Sequence, residues 1–225
     1  MPLCLPPDVL AHATGPHATA EAAEFCRLLR KLREVDPVGN PLVLDGGADR
    51  GLFSRTALAL NFTALAVECR SDRAMQLKHE IRHPRFAVVH ACLGSTPGIS
   101  RLHRALDSSS TMPRTLRGRA ESWKAKRELN RFETVPSLPL DYLLSPRSLI
   151  NAFGPTAPTR VAVVKLDLQG AEASALAGMR RVVRQHAPLY MFYEKQSPPL
   201  DVGRMIGMRA EKPVCAGGNC VLKIA

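Results

Sequence analysis

Five polar residues close five apolar runs: Asp45 after PLVL, Glu68 after TALAV, His90 after FAVV, Asp167 after RVAVVKL and Glu194 after PLYMFY. In open parallel sheets ligands bind outside the carboxyl ends of the strands. Four acids so placed suggest a cleft that prefers a cationic or hydroxyl-rich ligand. A glycine turn, GGADRG at 46–51, follows the first of them. Gly46, Gly47 and Gly51 let the backbone pass close to a ligand and start a helix tightly. Glu68 follows Gly47 by 21 residues, a spacing that suits a carboxylate hydrogen-bonding both hydroxyls of a ribose. Nicotinamide dinucleotides and S-adenosylmethionine share that geometry. A dinucleotide would set its pyrophosphate against the loop and the helix start, where Asp45 and Asp49 would repel it by about a few kcal/mol. S-adenosylmethionine carries an α-ammonium and a sulfonium and no phosphate, so the acids favour it.

The elements that hold these residues alternate. Residues 41–45, 63–68, 86–91, 160–167 and 188–194 read as strands. Helical patterns at 52–60, 72–82 and 171–186 lie between them, the last with Leu176, Met179, Val182 and Val183 on one face. Such alternation predicts an α/β fold, a mostly parallel twisted sheet with helices on both faces. Gly217, Gly218 and Asn219 join two short apolar runs near the end, which predicts a C-terminal antiparallel hairpin. Residues 1–40 form an N-terminal segment with one helix at 19–34, capped by Thr19, and 41–225 the main domain. The stretch from Ile99 to about Phe132 shows no strand alternation, and 151–159, rich in proline, reads as a surface loop.

The net charge of +11 is concentrated. Residues 101–131 hold nine basic side chains (Arg101, Arg104, Arg114, Arg117, Arg119, Lys124, Lys126, Arg127, Arg131) against Asp107, Glu121 and Glu128. That net of +6 leaves only +5 for the rest. This basic insertion, with the sole Trp123, is read either as a solvated loop or as a flap that gathers an acidic acceptor. No apolar run approaches the ~20 residues of a membrane span, and the first residues lack the basic start of a secretory signal, so a cytoplasmic protein without membrane attachment is expected. The six cysteines (Cys4, Cys26, Cys69, Cys92, Cys215, Cys220) show no zinc spacing; buried, reduced thiols are expected. No metal site is predicted.

The segments VLDGGADRGLFS (43–54), AVE (66–68), HACLG (90–94), LPLDYLL (138–144), VVKLDLQGAEASALAGM (163–179) and LYMFYE (189–194) resemble, in this order, the motifs of FkbM-type methyltransferases. The KLDLQGAE block is the most specific, and nicotinamide dehydrogenases have no counterpart to it. The resemblance implies the Rossmann-like class I methyltransferase fold, S-adenosylmethionine as cofactor, and methylation of a hydroxyl oxygen on a small molecule or sugar. It places Asp45, Gly47 and Gly51 in the cofactor loop, Glu68 on the ribose, and residues 90–93 beside the adenine. Gly46, Ala48, Cys69, Ala91, Cys92 and Asp167 complete the predicted cofactor contacts. Asp167 lies where the fourth strand opens toward the transferred methyl, and with Glu194 it is the predicted catalytic pair. Two positions depart from the family: Asp49 stands where Asn is usual, and Gln169 where Glu is usual.

Glu172 falls in a first helical turn, where the helix dipole alone favours an acid, so structural and functional roles are both open. His90 and His103 could act as bases near neutral pH. A rival function is a catalytically weakened cofactor-binding domain whose basic segment contacts nucleic acid or another acidic partner. Gln169 and residues 101–131 support it, although one tryptophan offers little stacking surface for bases. Oligomeric state is not legible.

Overall fold

A computed structural model describes residues 5–13, 15–36, 39–104, 109–110, 132–187, 189–194, 199–216 and 218–225. Most of the basic insertion, including Trp123, and Cys4 lie outside the described residues. The central sheet has seven strands: β1 (Leu42–Gly46), β2 (Thr63–Glu68), β3 (Phe86–His90), β8 (Val161–Leu166), β9 (Leu189–Glu194), β10 (Val214–Ala216) and β11 (Asn219–Ile224). Their order across the sheet is β10-β11-β9-β8-β1-β2-β3. The first five run parallel; β11 is antiparallel to β9, and β10 to β11. Every position of β1, β2 and β8 is buried, as parallel strands covered on both faces require. The chain leaves β1 toward β2 and β3, then returns to β8 on its other side. That reversal creates the topological switch point where open α/β sheets bind ligands.

The short helix α1 (Pro7–Leu10) precedes three longer ones, α2 (Pro16–Val35), α3 (Leu52–Ala59) and α4 (Ser71–Glu80), which cover one face. The rings of Phe25, Phe53 and Phe192 meet there at 5.0–5.6 Å, tying α2 and α3 to β9. On the other face, Leu140, Leu149, Leu176 and Val182 pack against Leu42, Leu44, Val164 and Met191. Helix α2 starts three residues before the predicted helix, with Pro16 in its first turn. Thr19 is not its cap: its hydroxyl donates to the Gly15 carbonyl, and proline supplies the helix start.

A second sheet consists of β4 (Cys92–Leu93), β5 (Gly98–Arg104), β6 (Ser109–Ser110) and β7 (Phe132–Leu138), in the order β4-β7-β5-β6. This corrects the expectation of a strandless stretch from Ile99. β5 and β7 pair antiparallel from Gly98↔Ser137 to His103↔Phe132, so the basic insertion springs from a hairpin. Alternation is weak because Leu102 and Val135 turn inward while Ile99 stays 77% exposed. Residues 151–153 likewise belong to a helix, Pro146–Phe153, which buries Leu149 and Phe153.

The predicted helix at 171–186 is two, Glu172–Ala177 and Arg180–His186. Leu176, Met179, Val182 and Val183 are all buried, so the apolar period runs through the break and conceals it. Asp141 makes the second start: its carboxylate accepts the amides of Arg181 and Val182 at 3.2 and 2.8 Å, and its own amide donates to Gly178. A side chain on Gly178 would collide with the Gly94 carbonyl oxygen and with Pro139. Gly178→Ala should therefore lower stability by about 1–3 kcal/mol. The urea midpoint should fall with an unchanged slope; an unaltered midpoint would mean that this contact yields freely.

Candidate active site

The carboxyl end of β1 is held by a buried charge. Lys165 sits inside β8, 2% exposed, with its Nζ 3.1 Å from Asp45 Oδ1 and 4.0 Å from Asp167 Oδ2. It also donates to the carbonyls of Gly47 (2.8 Å) and Gly46 (3.3 Å) and lies over the Phe53 ring. Burial opposes the ammonium charge, but Asp45, Asp167 and Glu68 outweigh it and hold its pKa above the ordinary lysine value. The other oxygen of Asp45 accepts the amide (3.0 Å) and hydroxyl (2.7 Å) of Ser54. Asp45 is wholly buried, and both its oxygens point into the protein.

The loop from Gly46 is pressed against β8. Gly47 has φ +72°, and a Cβ there would fall on the Asp167 carbonyl oxygen; only glycine fits both constraints. Asp49, at φ +43°, donates its amide to Glu68 Oε2 at 2.8 Å. Its carboxylate meets Arg73 Nε at 3.0 Å. The two acids expected to repel a pyrophosphate are thus each paired with a cation, which weakens the electrostatic case against a dinucleotide.

Glu68 is 6% exposed at the cleft wall. Burial pushes its carboxyl above the usual range, against the pull of hydrogen bonds from the Arg70 and Asp49 amides. Each oxygen accepts one N–H, and a carboxylate has lone pairs left over for two ribose hydroxyls. Val67, Ala91, Leu93 and Leu102 supply an apolar slot beside it. An acid next to an apolar slot fits the nucleoside half of the expected cofactor.

Of the predicted cofactor contacts, Gly47, Glu68, Cys69, Ala91, Cys92 and Asp167 border this cleft. Asp45, Gly46, Ala48 and Gly51 do not; they lie behind the wall and shape the loop. Gly51, at φ +75°, leaves no room for a side chain against Leu77. Glu194 is outside the wall, half-buried one strand further along, with its carboxyl pushed up by burial and by Asp167, Glu172 and Glu21. His90 turns toward Glu133 and the Cys69 carbonyl, away from the cleft; the side chain of His103 lies outside the described residues.

The turn after β8 resolves two open readings. Glu172, 1% exposed, accepts the amides of Leu168 (2.7 Å) and Gly170 (3.0 Å), a structural use of both oxygens. Gln169, at φ +54° and on the cleft wall, donates its amide to Asp167 Oδ1 at 2.9 Å. Lys165 and Leu102 are additions that the sequence reading misses. A lysine among valines two residues before Asp167 is a legible signal of a buried pair. Leu102 has no sequence signal, since β5 alone carries it to the cleft.

The expectation of reduced thiols is overturned. Cys69 pairs with Cys92 and Cys215 with Cys220 in disulfides, and Cys26 is disulfide-bonded as well. Register explains both pairs: Glu68↔His90 sets Cys69 beside Cys92 at the ends of adjacent strands, and Cys215↔Cys220 are direct partners in the hairpin. Residues 69 and 92 are 23 apart in sequence, so only the sheet brings them together. Among the described residues, no three metal-binding side chains converge.

Lys165→Met would strand Asp45 in the interior without a counter-charge and should cost about 3–5 kcal/mol in urea unfolding. Adding Asp45→Asn should recover part of that loss. A single variant as stable as the parent would show that the pair does not hold the loop.

The Methyltransferase FkbM domain matches residues 65–211. No curated protein matches the chain. Among solved structures, it is similar to an RNA methyltransferase from Salinibacter ruber in complex with S-adenosyl-L-homocysteine, at 11% identity, 88% of each chain covered and a TM-score of 0.40. A SAM-dependent methyltransferase from Aquifex aeolicus is 12% identical, with 91% of this chain and 97% of that chain covered and a TM-score of 0.42. The 16S rRNA N2 G1207 methyltransferase of T. thermophilus, in complex with AdoMet and guanosine, is 11% identical, covering 91% of this chain and 42% of that one, with a TM-score of 0.45. No helix among the described residues is long and apolar enough to cross a membrane. The matched domain takes in Glu68, Asp167 and Glu194, and so this chain belongs to the FkbM methyltransferase family and is an S-adenosylmethionine-dependent methyltransferase.

Proposed function

We propose that this enzyme O-methylates a hydroxyl group of a small molecule or sugar. The observation that carries the reading is that two carboxylates, Asp167 on the cleft wall and Glu194 just beyond it, stand at the ends of the adjacent strands β8 and β9. Bound there, the cofactor supplies an electrophilic methyl on a sulfonium. The protein has to orient and desolvate an acceptor oxygen beside it. Asp167 is the group suited to this, because Gln169 donates to one of its oxygens, and the other, 4.0 Å from Lys165 Nζ, keeps lone pairs to accept a hydroxyl hydrogen. In place of the family's usual Glu, the Gln169 amide donates to Asp167 where a second carboxylate would repel it. The departure thus supports a positioned acid and not a lost centre. Glu194 adds a second acceptor of hydrogen bonds, and its raised pKa puts proton uptake closer to neutrality.

An acidic partner for residues 101–131 rests on their net charge alone. The expected cytoplasmic location sits poorly with the paired cysteines. Disulfides persist where thiols are not kept reduced, and an oxidising compartment suits this chain better. Alkylation of native, unreduced protein should leave Cys69, Cys92, Cys215 and Cys220 unlabelled; labelling of these four would return the reading to the cytoplasm.

S-adenosylhomocysteine at a hundredfold excess over its Kd should stabilise the fold by about 2.7 kcal/mol, and NAD should not. Glu68→Ala should remove that shift without unfolding the protein. Asp167→Asn should keep the shift and lose methyl transfer about 10²-fold or more, measured with tritiated methyl donor against hexoses, small hydroxylated metabolites and RNA. Transfer to RNA alone would overturn the small-molecule acceptor. A variant that binds no S-adenosylhomocysteine would move Asp167 into the cofactor site.

A further inference from the structure

The wall of the cleft carries a covalent bond that can be broken and remade. Cys69 and Cys92, joined as a disulfide, both line the cleft that Glu68 and Gly47 border. Cys69 follows Glu68 at the end of β2, and Cys92 opens β4, opposite Ser137 of β7. The bond is therefore a covalent tie between the central sheet and the second one. Around it Cys92, Leu102 and Val135 form a small apolar cluster of their own, with Cys69 half-buried against them. The neighbours of the two cysteines also fix the acid. The Arg70 amide donates to Glu68 Oε1 at 2.8 Å, and the Ala91 amide donates to the Glu68 carbonyl at 3.1 Å. Arg70 adjoins Cys69, and Ala91 adjoins Cys92.

We propose that the Cys69–Cys92 disulfide is a redox switch on the cofactor site: the oxidised chain binds S-adenosylmethionine, and the reduced chain binds it poorly. The inference rests on the placement of the cofactor's ribose at Glu68. A dithiol that opens the bond supplies two electrons and two protons and leaves as its own disulfide, so that two thiols remain on the protein. Their sulfurs part from bonding to nonbonded contact and need more room. Cys92 is 3% exposed and Leu102 2%, so the packed side of the bond yields little, and the open side is the cleft. The thiols narrow the slot and loosen the two segments that hold Glu68. Untying the sheets also frees Leu102, which reaches the cleft only on the second sheet. A nucleoside with its ribose on Glu68 lies against the bond, so by linkage the cofactor opposes reduction as much as reduction opposes the cofactor. The Cys215–Cys220 bond is an internal comparison: it joins β10 to β11 at the opposite edge of the central sheet, off the cleft wall. Such a switch keeps the enzyme silent until its chain reaches a compartment where thiols are oxidised.

Two measurements on the full chain test this. In the first, the Kd for S-adenosylhomocysteine is measured by calorimetry before and after reduction with dithiothreitol, with the opened bonds identified by alkylation and mass spectrometry. Reduction should weaken binding about tenfold or more. The double variant Cys215→Ser, Cys220→Ser should bind as the parent does and lose affinity on reduction as the parent does. The double variant Cys69→Ser, Cys92→Ser should bind as weakly as the reduced parent, with or without dithiothreitol; affinity equal to the oxidised parent's overturns the proposal. The second measurement needs no variant. In buffers of reduced and oxidised dithiothreitol, saturating S-adenosylhomocysteine should raise about tenfold the ratio that opens half of the Cys69–Cys92 bonds. The ratio for Cys215–Cys220 should not change. Equal Kd in oxidised and reduced parent, or a Cys69–Cys92 ratio indifferent to the ligand, overturns the switch. An equal shift at both bonds does so too, because it marks stabilisation of the whole fold. Parent-like affinity in Glu68→Ala, with the redox dependence kept, faults the ribose placement and leaves the switch standing.

Discussion

A single ammonium group in the interior organises this enzyme. Lys165 is enclosed by β8 and reaches a carboxylate and two carbonyls at the end of β1. A charge taken out of water must be met by opposite charge and hydrogen bonds, or it destabilises the fold by several kcal/mol. Meeting it brings the ends of β1 and β8 together, and those ends border the switch point of the sheet. The same closeness makes Gly47 obligatory, because its Cα rests against the Asp167 carbonyl. The cleft, the glycine turn and the orientation of Asp167 are consequences of one buried ion pair.

That pair also sorts the acids by role. Asp45 is spent on Lys165 and Ser54, Asp49 on Arg73, and Glu172 on the amides of its own turn. On the proposed function, Glu68 and Asp167, which line the cleft, and Glu194 beyond its wall serve ligands. The first faces an apolar slot suited to a nucleoside, and the other two lie one strand apart at the opposite end. Methyl transfer asks a protein for alignment and exclusion of water more than for chemistry of its own, and on the proposed assignment this division supplies it: a nucleoside end, a reacting end, and strands between them.

Around this frame the chain adds pieces that a bare βαβ layout lacks. The β5–β7 hairpin brings Leu102 onto the cleft wall. The Cys69–Cys92 disulfide links the ends of β2 and β3 on the same wall. Beyond β9, α2 and β11 meet through Asn219 and Glu21, 198 residues apart. The N-terminal helix is thus tied to the sheet by Phe25 and Leu29 as well as by Glu21.

The amino-acid sequence by itself determined the alternation of strands and helices, the C-terminal hairpin, the acids at the strand ends and the family motifs. Each is a local property: period-2 and period-3.6 patterns, turn residues and spacing within a short window. It also brought Gly47 and Glu68 to one edge of the sheet, because a strand end, a glycine turn and the next strand end are joined by the βαβ unit itself; Asp167 was reached only through the family motif. Only the tertiary structure decided which acids line the cleft, since Asp45 and Glu68 look alike until the partners of each are known. It alone revealed the break at Gly178, hidden by an unbroken apolar period, and the strands β5 and β7, whose outward faces leave little alternation to read. The disulfides and the meeting of Glu21 and Asn219 depend on strand register and on the docking of a helix across the sheet. Among them, Cys69–Cys92 and Glu21–Asn219 join residues 23 and 198 positions apart in the sequence, and no local pattern encodes a distance of that kind.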